Sequence, residues 1–339
     1  VSENTNIEWA DHTFNPWEGC QKVGPGCDNC YAETRNARFG GGTAVNWGPG
    51  APRRRTSVAN WRKPMAWNRN AGVFYAQHQR RQRVFCASLA DVFDNGVDVQ
   101  WRCDLFDLIE KTPNLDWLLL TKRIGNVMRM ITETAQIRFD LETVWNPRLL
   151  DNVWLGATIV NQAEADRDIP KLLAVPARVR FLSMEPLLGP VDLDLLKYED
   201  CAERDGKGGV LTTRRKALDW VIVGGESGPN ARPMSIQWTR SLRDQCAAAA
   251  VPFLFKQWGE WAPAQPRPSE TPGAFAYGDY THDDAYDRMP RFHRTDRYPR
   301  QFTSFGARAI VERMGKKSAG RQLDGATHDG FPSAGKETS

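Results

Sequence analysis

Three of the seven cysteines crowd into eleven residues, Cys20-Gln-Lys-Val-Gly-Pro-Gly-Cys27-Asp-Asn-Cys30. A C-x2-C pair lets two thiolates reach one metal centre. The third cysteine lies upstream, across a gap holding Gly24-Pro25-Gly26, where glycines let the backbone fold tightly around an inorganic core. Three thiolates with one open position suit a [4Fe–4S] cluster that keeps one iron free for substrate, whereas four ligands would suit electron transfer or a structural zinc. No fourth cysteine lies nearby, but His12 could complete a Cys3His zinc site, which is the rival reading. Cys86, Cys103, Cys201 and Cys246 are scattered, and Cys86, in the apolar run Val84–Ala87, reads as a small core residue. An odd cysteine count without an export pattern argues against a disulfide framework.

Such a loop needs a scaffold. Short apolar runs at Val84–Ser88, Trp117–Thr121, Val153–Thr158, Val179–Ser183, Trp220–Gly224 and Pro252–Lys256 read as strands, with Ile7–Thr13 a weaker first one. Several are apolar on both alternating faces, as strands of a parallel sheet covered by helices are. Helical patterns over Gln100–Lys111, Ala163–Leu173 and Ile236–Ala250 fall between them. The βα order predicts an α/β fold: a parallel (β/α) barrel, partial or complete and TIM-barrel-like, or an open doubly wound sheet. Gly40–Trp67 reads as a long loop insertion in a core spanning 1–261, residues 262–304 as a surface insertion able to contact substrate or nucleic acid, and 305–339 as a C-terminal segment with a disordered tail from Gly330.

In parallel β/α architectures functional groups collect at the C-terminal ends of strands. Here every such end is polar: Asn15 to Cys20, Ser88 to Asp94, Lys122-Arg123, Thr158 to Asn161, Ser183 to Glu185, Gly224-Gly225-Glu226-Ser227 and Gln257 to Glu260. A ring of polar strand ends describes a pocket better than a set of unrelated solvated loops. Lys122 and Arg123 could hold a carboxylate or phosphate. Asp91, Asp94 and Glu185 could transfer protons or bind a ribose, and could equally form structural ion pairs. Gly224 and Gly225 would let backbone approach a ligand, and Glu226 could bind an amine or hydroxyl.

Of the 339 residues, 41% are hydrophobic and 25% charged, an ordinary globular composition. No run of apolar residues suffices for a membrane helix, and the polar start Ser2-Glu3-Asn4-Thr5 lacks a signal-peptide pattern, so a cytoplasmic protein is expected. The net charge of +4 does not by itself establish a nucleic-acid partner. Local clusters at Arg53–Arg55, Arg80–Arg81, Arg214–Lys216 and Arg291–Arg300 are basic, and the last interleaves Phe292, His293 and Tyr298. Charge for phosphates beside π-faces for bases is the composition of a single-strand binding surface, or else of a solvated loop.

The three-cysteine loop on a β/α scaffold resembles the radical S-adenosylmethionine superfamily. More closely, the chain resembles a phage and prophage family with a three-cysteine motif, of undetermined activity. The matching segments are Trp17-Glu-Gly-Cys20, Cys27-Asp-Asn-Cys30-Tyr31, Ala87-Ser-Leu-Ala-Asp-Val-Phe-Asp94, Leu118-Leu-Leu-Thr-Lys-Arg123, Phe181-Leu-Ser-Met-Glu-Pro186, Val223-Gly-Gly-Glu-Ser-Gly-Pro229, Phe255-Lys-Gln-Trp-Gly259 and Gly320-Arg-Gln-Leu-Asp-Gly325. The resemblance implies a [4Fe–4S] cluster on Cys20, Cys27 and Cys30, S-adenosylmethionine on its open iron, and a flavodoxin- or ferredoxin-type electron donor in a bacterial or phage-infected cytosol. It implies cofactor contacts from Ser88, Thr158, Ser183, Gly224, Gly225, Glu226 and Ser227, and chemistry at Asp91, Lys122 and Glu185. Two departures stand out: the spacing is C-x6-C-x2-C where the superfamily commonly has C-x3-C-x2-C, and Asp91 stands where its second strand usually leads into Gly-Gly-Glu. The expected activity is radical modification or repair of a nucleic-acid base or nucleotide. The alternatives are a zinc-stabilised nucleic-acid-binding protein and a metal-independent nucleotide hydrolase or transferase.

Overall fold

A computed structural model of the chain describes residues 2–3, 5, 7–144, 147–193, 198–204, 210–216, 218–263, 291–294, 301–304 and 310–332. Seven strands run parallel in one sheet: β1 (His12–Thr13), β2 (Gln82–Cys86), β3 (Leu115–Thr121), β4 (Val153–Thr158), β5 (Val179–Met184), β6 (Trp220–Gly224) and β7 (Phe253–Gln257). Spatial order follows chain order, and the sheet curls into a half-barrel.

Side chains alternate across this sheet and build two cores. Val84, Trp117, Leu119, Leu155, Leu182, Val221 and Phe255 join the outer core beneath the helices. Phe85, Leu118, Trp154, Phe181, Trp220, Ile222 and Leu254 face inward with Trp9. Burial on both faces is why these strands read as continuous apolar runs. The inner aromatics fill the lower half of the barrel, with Trp9 and Phe85 ring centroids 4.5 Å apart and Phe181 and Trp220 at 5.8 Å. Gly156 on β4 makes room for them, since a Cβ there would lie 2.3 Å from Phe181 Cζ. Packed rings below leave space for a cavity only above, at the C-terminal strand ends.

Helices α1 (Tyr31–Phe39), α2 (Val58–Arg69) and α3 (Ala71–His78) connect β1 to β2. Then α4 (Val99–Glu110), α5 (Val127–Phe139) and α6 (Gln162–Leu173) alternate with the next strands, and α7 (Ile236–Ala248) joins β6 to β7. Side-chain caps set several starts: Asp98 accepts from Gln100 N at 2.7 Å and Asn161 from Glu164 N at 2.9 Å. Between β5 and β6, residues 198–204 and 210–216 pair as an antiparallel hairpin.

The expected loop over Gly40–Trp67 is only partly a loop. Its end is helical from Val58, capped by Ser57, which accepts from Asn60 N at 3.3 Å. Pro64 within the helix and the Arg/Trp composition hide the 3.6-residue period there, and Trp67 packs instead by stacking on His12 at 4.2 Å. Within the expected 262–304 insertion, Arg291–Arg294 and Gln301–Ser304 are strands. They join Trp261–Pro263 and Ile310–Arg313 in a four-stranded antiparallel sheet. Residues 264–290 and 295–300 of the insertion, and 305–309 and 333–339 of the expected C-terminal segment, lie outside the described residues.

Both sheet edges are covered. Ser2–Glu3 pairs antiparallel with β1, and residues 328–330 run antiparallel along β7, with Phe255 N donating to His328 O at 3.0 Å and Gly330 N to Phe253 O at 2.9 Å. Phe331 then packs on the inner cluster beneath the Arg83 guanidinium, 4.0 Å from its ring centroid. No helix among the described residues is long and apolar enough to cross a membrane.

Candidate functional site

A cavity of ≈ 680 Å³ opens at the C-terminal ends of the parallel strands. Cys20, Cys27 and Cys30 all line it, together with residues from the end of every strand from β1 to β7. The loop after β1 reaches this mouth through short backbone ties. Gly19, at φ +112°, donates to Leu89 O at 3.1 Å, Cys20 N donates to Asn46 O at 3.2 Å, and Gly48 N donates to Cys20 O at 2.9 Å. A 3-10 turn over Pro25–Cys27 follows, and Cys30 forms the N-terminal cap of α1. The glycines of this loop serve close packing: a Cβ on Gly26 would lie 2.8 Å from Val160 Cγ1, and one on Gly24 2.8 Å from Glu164 Oε1.

Two polar clamps hold the loop from opposite sides of the barrel. From the end of β3, Arg123 donates through Nη1 to Cys20 Sγ at 3.4 Å and through Nη2 to Gln21 O at 2.8 Å. Its guanidinium also meets Asp91 Oδ2 at 3.1 Å and Asp94 Oδ1 at 3.7 Å, and Asp94 in turn takes Arg53 Nε at 2.7 Å. All four of these charged side chains are buried. From the end of β6, Glu226 accepts from Asn29 Nδ2 at 3.0 Å, while Arg232 bridges Glu226 to the loop at Pro25 O (2.8 Å) and Asp28 Oδ2 (2.9 Å). Burial raises the Glu226 pKa, but the Arg232 and Asn29 hydrogen bonds outweigh it and hold the carboxyl below its usual range. Burial pushes the Cys20 thiol up to about 11 even with the Arg123 charge beside it.

Of the residues singled out from sequence, Cys20, Cys27, Cys30, Ser88, Asp91, Lys122, Arg123, Thr158, Ser183, Glu185, Gly225, Glu226 and Ser227 line the cavity, whereas His12, Asp94 and Gly224 do not. Asp91 is fully engaged: besides Arg123, its oxygens accept from Thr121 Oγ1 (2.8 Å), Lys122 N (3.0 Å) and Phe93 N (3.0 Å). That places it as the anchor of the β3 end. Glu185 takes both its oxygens to Lys256 Nζ, at 2.7 and 2.9 Å. Lys122 Nζ meets the Thr158 hydroxyl at 3.4 Å, Ser88 Oγ accepts from Asn15 Nδ2 at 3.0 Å, and Ser227 Oγ accepts from Gln257 Nε2 at 3.2 Å. Ser183 is buried in the cavity wall. Gly225 is small for a packing reason, since a Cβ would fall 1.9 Å from Trp258 O. His12, the candidate fourth zinc ligand, belongs to the outer face, stacked on Trp67. The basic cluster at 53–55 is spent internally: Arg53 pairs with Asp94, Arg54 with Glu18 and Arg55 with Asp104.

Two site residues, Arg232 and Lys316, lie outside every motif segment, and two more, Asn29 and Tyr31, lie inside the cysteine motif but were given no role of their own. Lys256 did carry a signal, being the only charge in the run Pro252–Lys256. Tyr31 donates its hydroxyl to Ser88 O while its ring stays exposed, and Lys316 arrives from α8 (Lys316–Ala319) after the antiparallel sheet. Among the described residues, no three His, Cys, Asp or Glu side chains converge closely enough to bind one ion between them.

A family model described as a protein of unknown function, DUF5131, matches residues 4–332. The chain belongs to this family. No curated protein and no solved structure matches it. In this DUF5131 member the matched range takes in the three cysteines, both clamps and the segment that covers the β7 edge.

Proposed function

We propose that the chain is an iron–sulfur enzyme of the radical S-adenosylmethionine type, with a [4Fe–4S] cluster on Cys20, Cys27 and Cys30. The observation that carries this reading is that three thiols from one loop line the same cavity at the polar mouth of a parallel half-barrel. When bound, the cluster and S-adenosylmethionine would supply reductive cleavage to a 5′-deoxyadenosyl radical, which abstracts a hydrogen from the substrate. The chain's own residues hold and shield. Arg123 places a positive charge and an N–H against Cys20, favouring its thiolate as a ligand. Asn29 and Arg232 fix the Pro25–Asn29 segment, and with it the orientation of Cys27 and Cys30. The Glu185–Lys256 pair, Ser183 and Ser227 offer polar contacts for a cofactor with both amino-acid and ribose groups.

The placement of His12 on the opposite face of β1 favours this reading over a Cys3His zinc protein. The saturation of Asp91 favours it over a hydrolase in which that carboxylate is the base. The test is anaerobic reconstitution followed by iron and sulfide analysis and a dithionite-driven assay for 5′-deoxyadenosine. About four irons per chain with product formation is expected. Colourless protein carrying one zinc, or a full cluster that yields no 5′-deoxyadenosine, refutes it.

A further inference from the structure

The charges around the cavity do not balance. Among the described residues it is lined by three carboxylates, Asp91, Glu185 and Glu226, and by six cations, Lys22, Arg35, Lys122, Arg123, Lys256 and Lys316. Every carboxylate is already matched: Asp91 by Arg123 at 3.1 Å, Glu185 by Lys256 at 2.7 Å and Glu226 by Arg232 at 2.6 Å. Lys22 and Arg35 pair with Glu33 and Glu18 at 3.3 and 3.4 Å, but their side chains are 49% and 45% exposed. Such pairs are weak and exchange readily for another anion. Lys122 hydrogen-bonds the Thr158 hydroxyl at 3.4 Å and feels Glu164 only through space, without an ion pair, and Lys316 forms no ion pair, among the described residues. A cavity with surplus fixed cations concentrates anionic ligands.

The same mouth carries a fixed aromatic face. Tyr31 opens α1 directly after Cys30 and is 59% exposed, and its hydroxyl donates to Ser88 O, which sets the ring at the mouth of the cavity. Trp47, held by the bridge between Cys20 and Trp47, lines the cavity as well. Pre-placed rings beside unmatched lysines form the stacking-plus-phosphate combination that binds nucleotides without reading sequence. A dicarboxylate or sugar phosphate would use the lysines and leave the rings idle.

We infer that the cavity takes a nucleotide unit, its base stacked on Tyr31 and its phosphate held by Lys122 and Lys316. This deepens the function proposed above and rests on it for the reaction, whereas binding itself requires no cluster. The unit can come from a free nucleotide or from a single-stranded nucleic acid, and the exposed positions of Tyr31 and Lys316 admit either.

The experiment is fluorescence anisotropy with a labelled single-stranded oligonucleotide on the full chain, with and without reconstitution, over a range of salt. Wild type is expected to bind, with log K falling against log salt by about 0.7 for each phosphate contact. Lys122→Gln and Lys316→Gln should each flatten that slope by about one contact. Tyr31→Leu should weaken binding roughly 5- to 100-fold and leave the slope unchanged, with Tyr31→Phe close to wild type. Competition by mononucleotide as effective as by oligonucleotide assigns the free nucleotide, and competition by oligonucleotide alone assigns the strand. Inorganic polyphosphate competing as well as oligonucleotide, with Tyr31→Leu at wild-type affinity, overturns the nucleotide assignment, as does failure of the wild type to bind at low salt. A chain that binds no iron yet binds oligonucleotide in this pattern rejects the radical reading and keeps the binding site.

Discussion

Glu226 is the residue whose replacement discriminates most sharply between a ligand contact and a structural clamp. Its carboxylate is 7% exposed and receives Arg232 N at 2.8 Å, Arg232 Nε at 2.9 Å, Arg232 Nη2 at 2.6 Å and Asn29 Nδ2 at 3.0 Å. Glu226→Gln keeps the volume and one acceptor oxygen, removes the charge and turns an NH2 group toward donors. Hydrogen bonds to charged groups contribute about 1.5–3 kcal/mol against about 0.5–1.5 for neutral ones, so the two Arg232 side-chain bonds alone lose about 2 kcal/mol. Breaking a fully buried pair costs about 3–5 kcal/mol, but the Arg232 side chain is 31% exposed and regains water, which places the expected loss at about 2–3 kcal/mol. For a chain of this size that lowers Tm by about 3–4 °C. The pH dependence has a definite sign. Because the folded carboxyl is held below its ordinary value, its contribution is fully present above about pH 4.3 and is lost as pH falls through the depressed folded value. The stability gap between wild type and Glu226→Gln should therefore be constant at neutral pH and close in acid. Release of Asn29 and Arg232 should also speed alkylation of Cys27 and Cys30 by iodoacetamide, with the buried Cys246 as internal control. Equal stability at neutral pH together with unchanged alkylation would refute the clamp and return Glu226 to the role of a ligand contact.

Three further outcomes are expected. Arg123→Met strands Asp91 and leaves Asp94 with Arg53 alone, so chemical denaturation should show a loss of about 3–5 kcal/mol, part of which Arg123→Met combined with Asp91→Asn restores. Gly225→Ala, whose Cβ would sit 1.9 Å from Trp258 O, should cost more than about 2 kcal/mol. Gly72→Ala, open within 4 Å on α3, should be neutral or stabilising by up to about 1 kcal/mol in the same assay. Chelation of any bound metal should leave the far-UV circular dichroism of the chain intact, because the loop's anchors are Arg123, Glu226 and Arg232, and a collapse to the unfolded spectrum would contradict that.

Much of the scaffold was legible in the sequence because the strands are buried on both faces and therefore show as unbroken apolar runs. The runs at Val153–Thr158 and Trp220–Gly224 coincide with β4 and β6, and the helix expected over Gln100–Lys111 lies one residue from α4. Helix α2 escaped because Pro64 interrupts it and its packing face is aromatic rather than aliphatic. The hairpin of 198–204 with 210–216 escaped because neither strand alternates apolar with polar residues in the primary sequence. The gathering of strand ends was readable from polarity alone, but Gly224 lies outside the cavity lining, against Glu185, where a Cβ would come within 3.3 Å of the carboxyl.

What the sequence withheld were the partners. Asn29 and Glu226 stand 197 residues apart, and Arg123 and Cys20 103 apart, so their pairing exists only once seven strands have curled. That distance also changes what the acidic residues mean. Read locally, Asp91 and Glu185 could transfer protons, bind a ribose or form structural ion pairs, and Glu226 could bind an amine or hydroxyl. In the fold each is neutralised by its own cation. On the function proposed above, the chemistry of the mouth falls to the three thiols, while the acids fix the loop and the strand ends around them. The clamps at β3 and β6 grip the cysteine loop at Gln21 and at Pro25–Asn29, and so span the open mouth. A structural zinc knuckle takes its order from the ion it binds, whereas this loop takes its order from the barrel on either side. Order imposed from outside the thiols is what a site needs if one coordination position is to stay open to a second ligand.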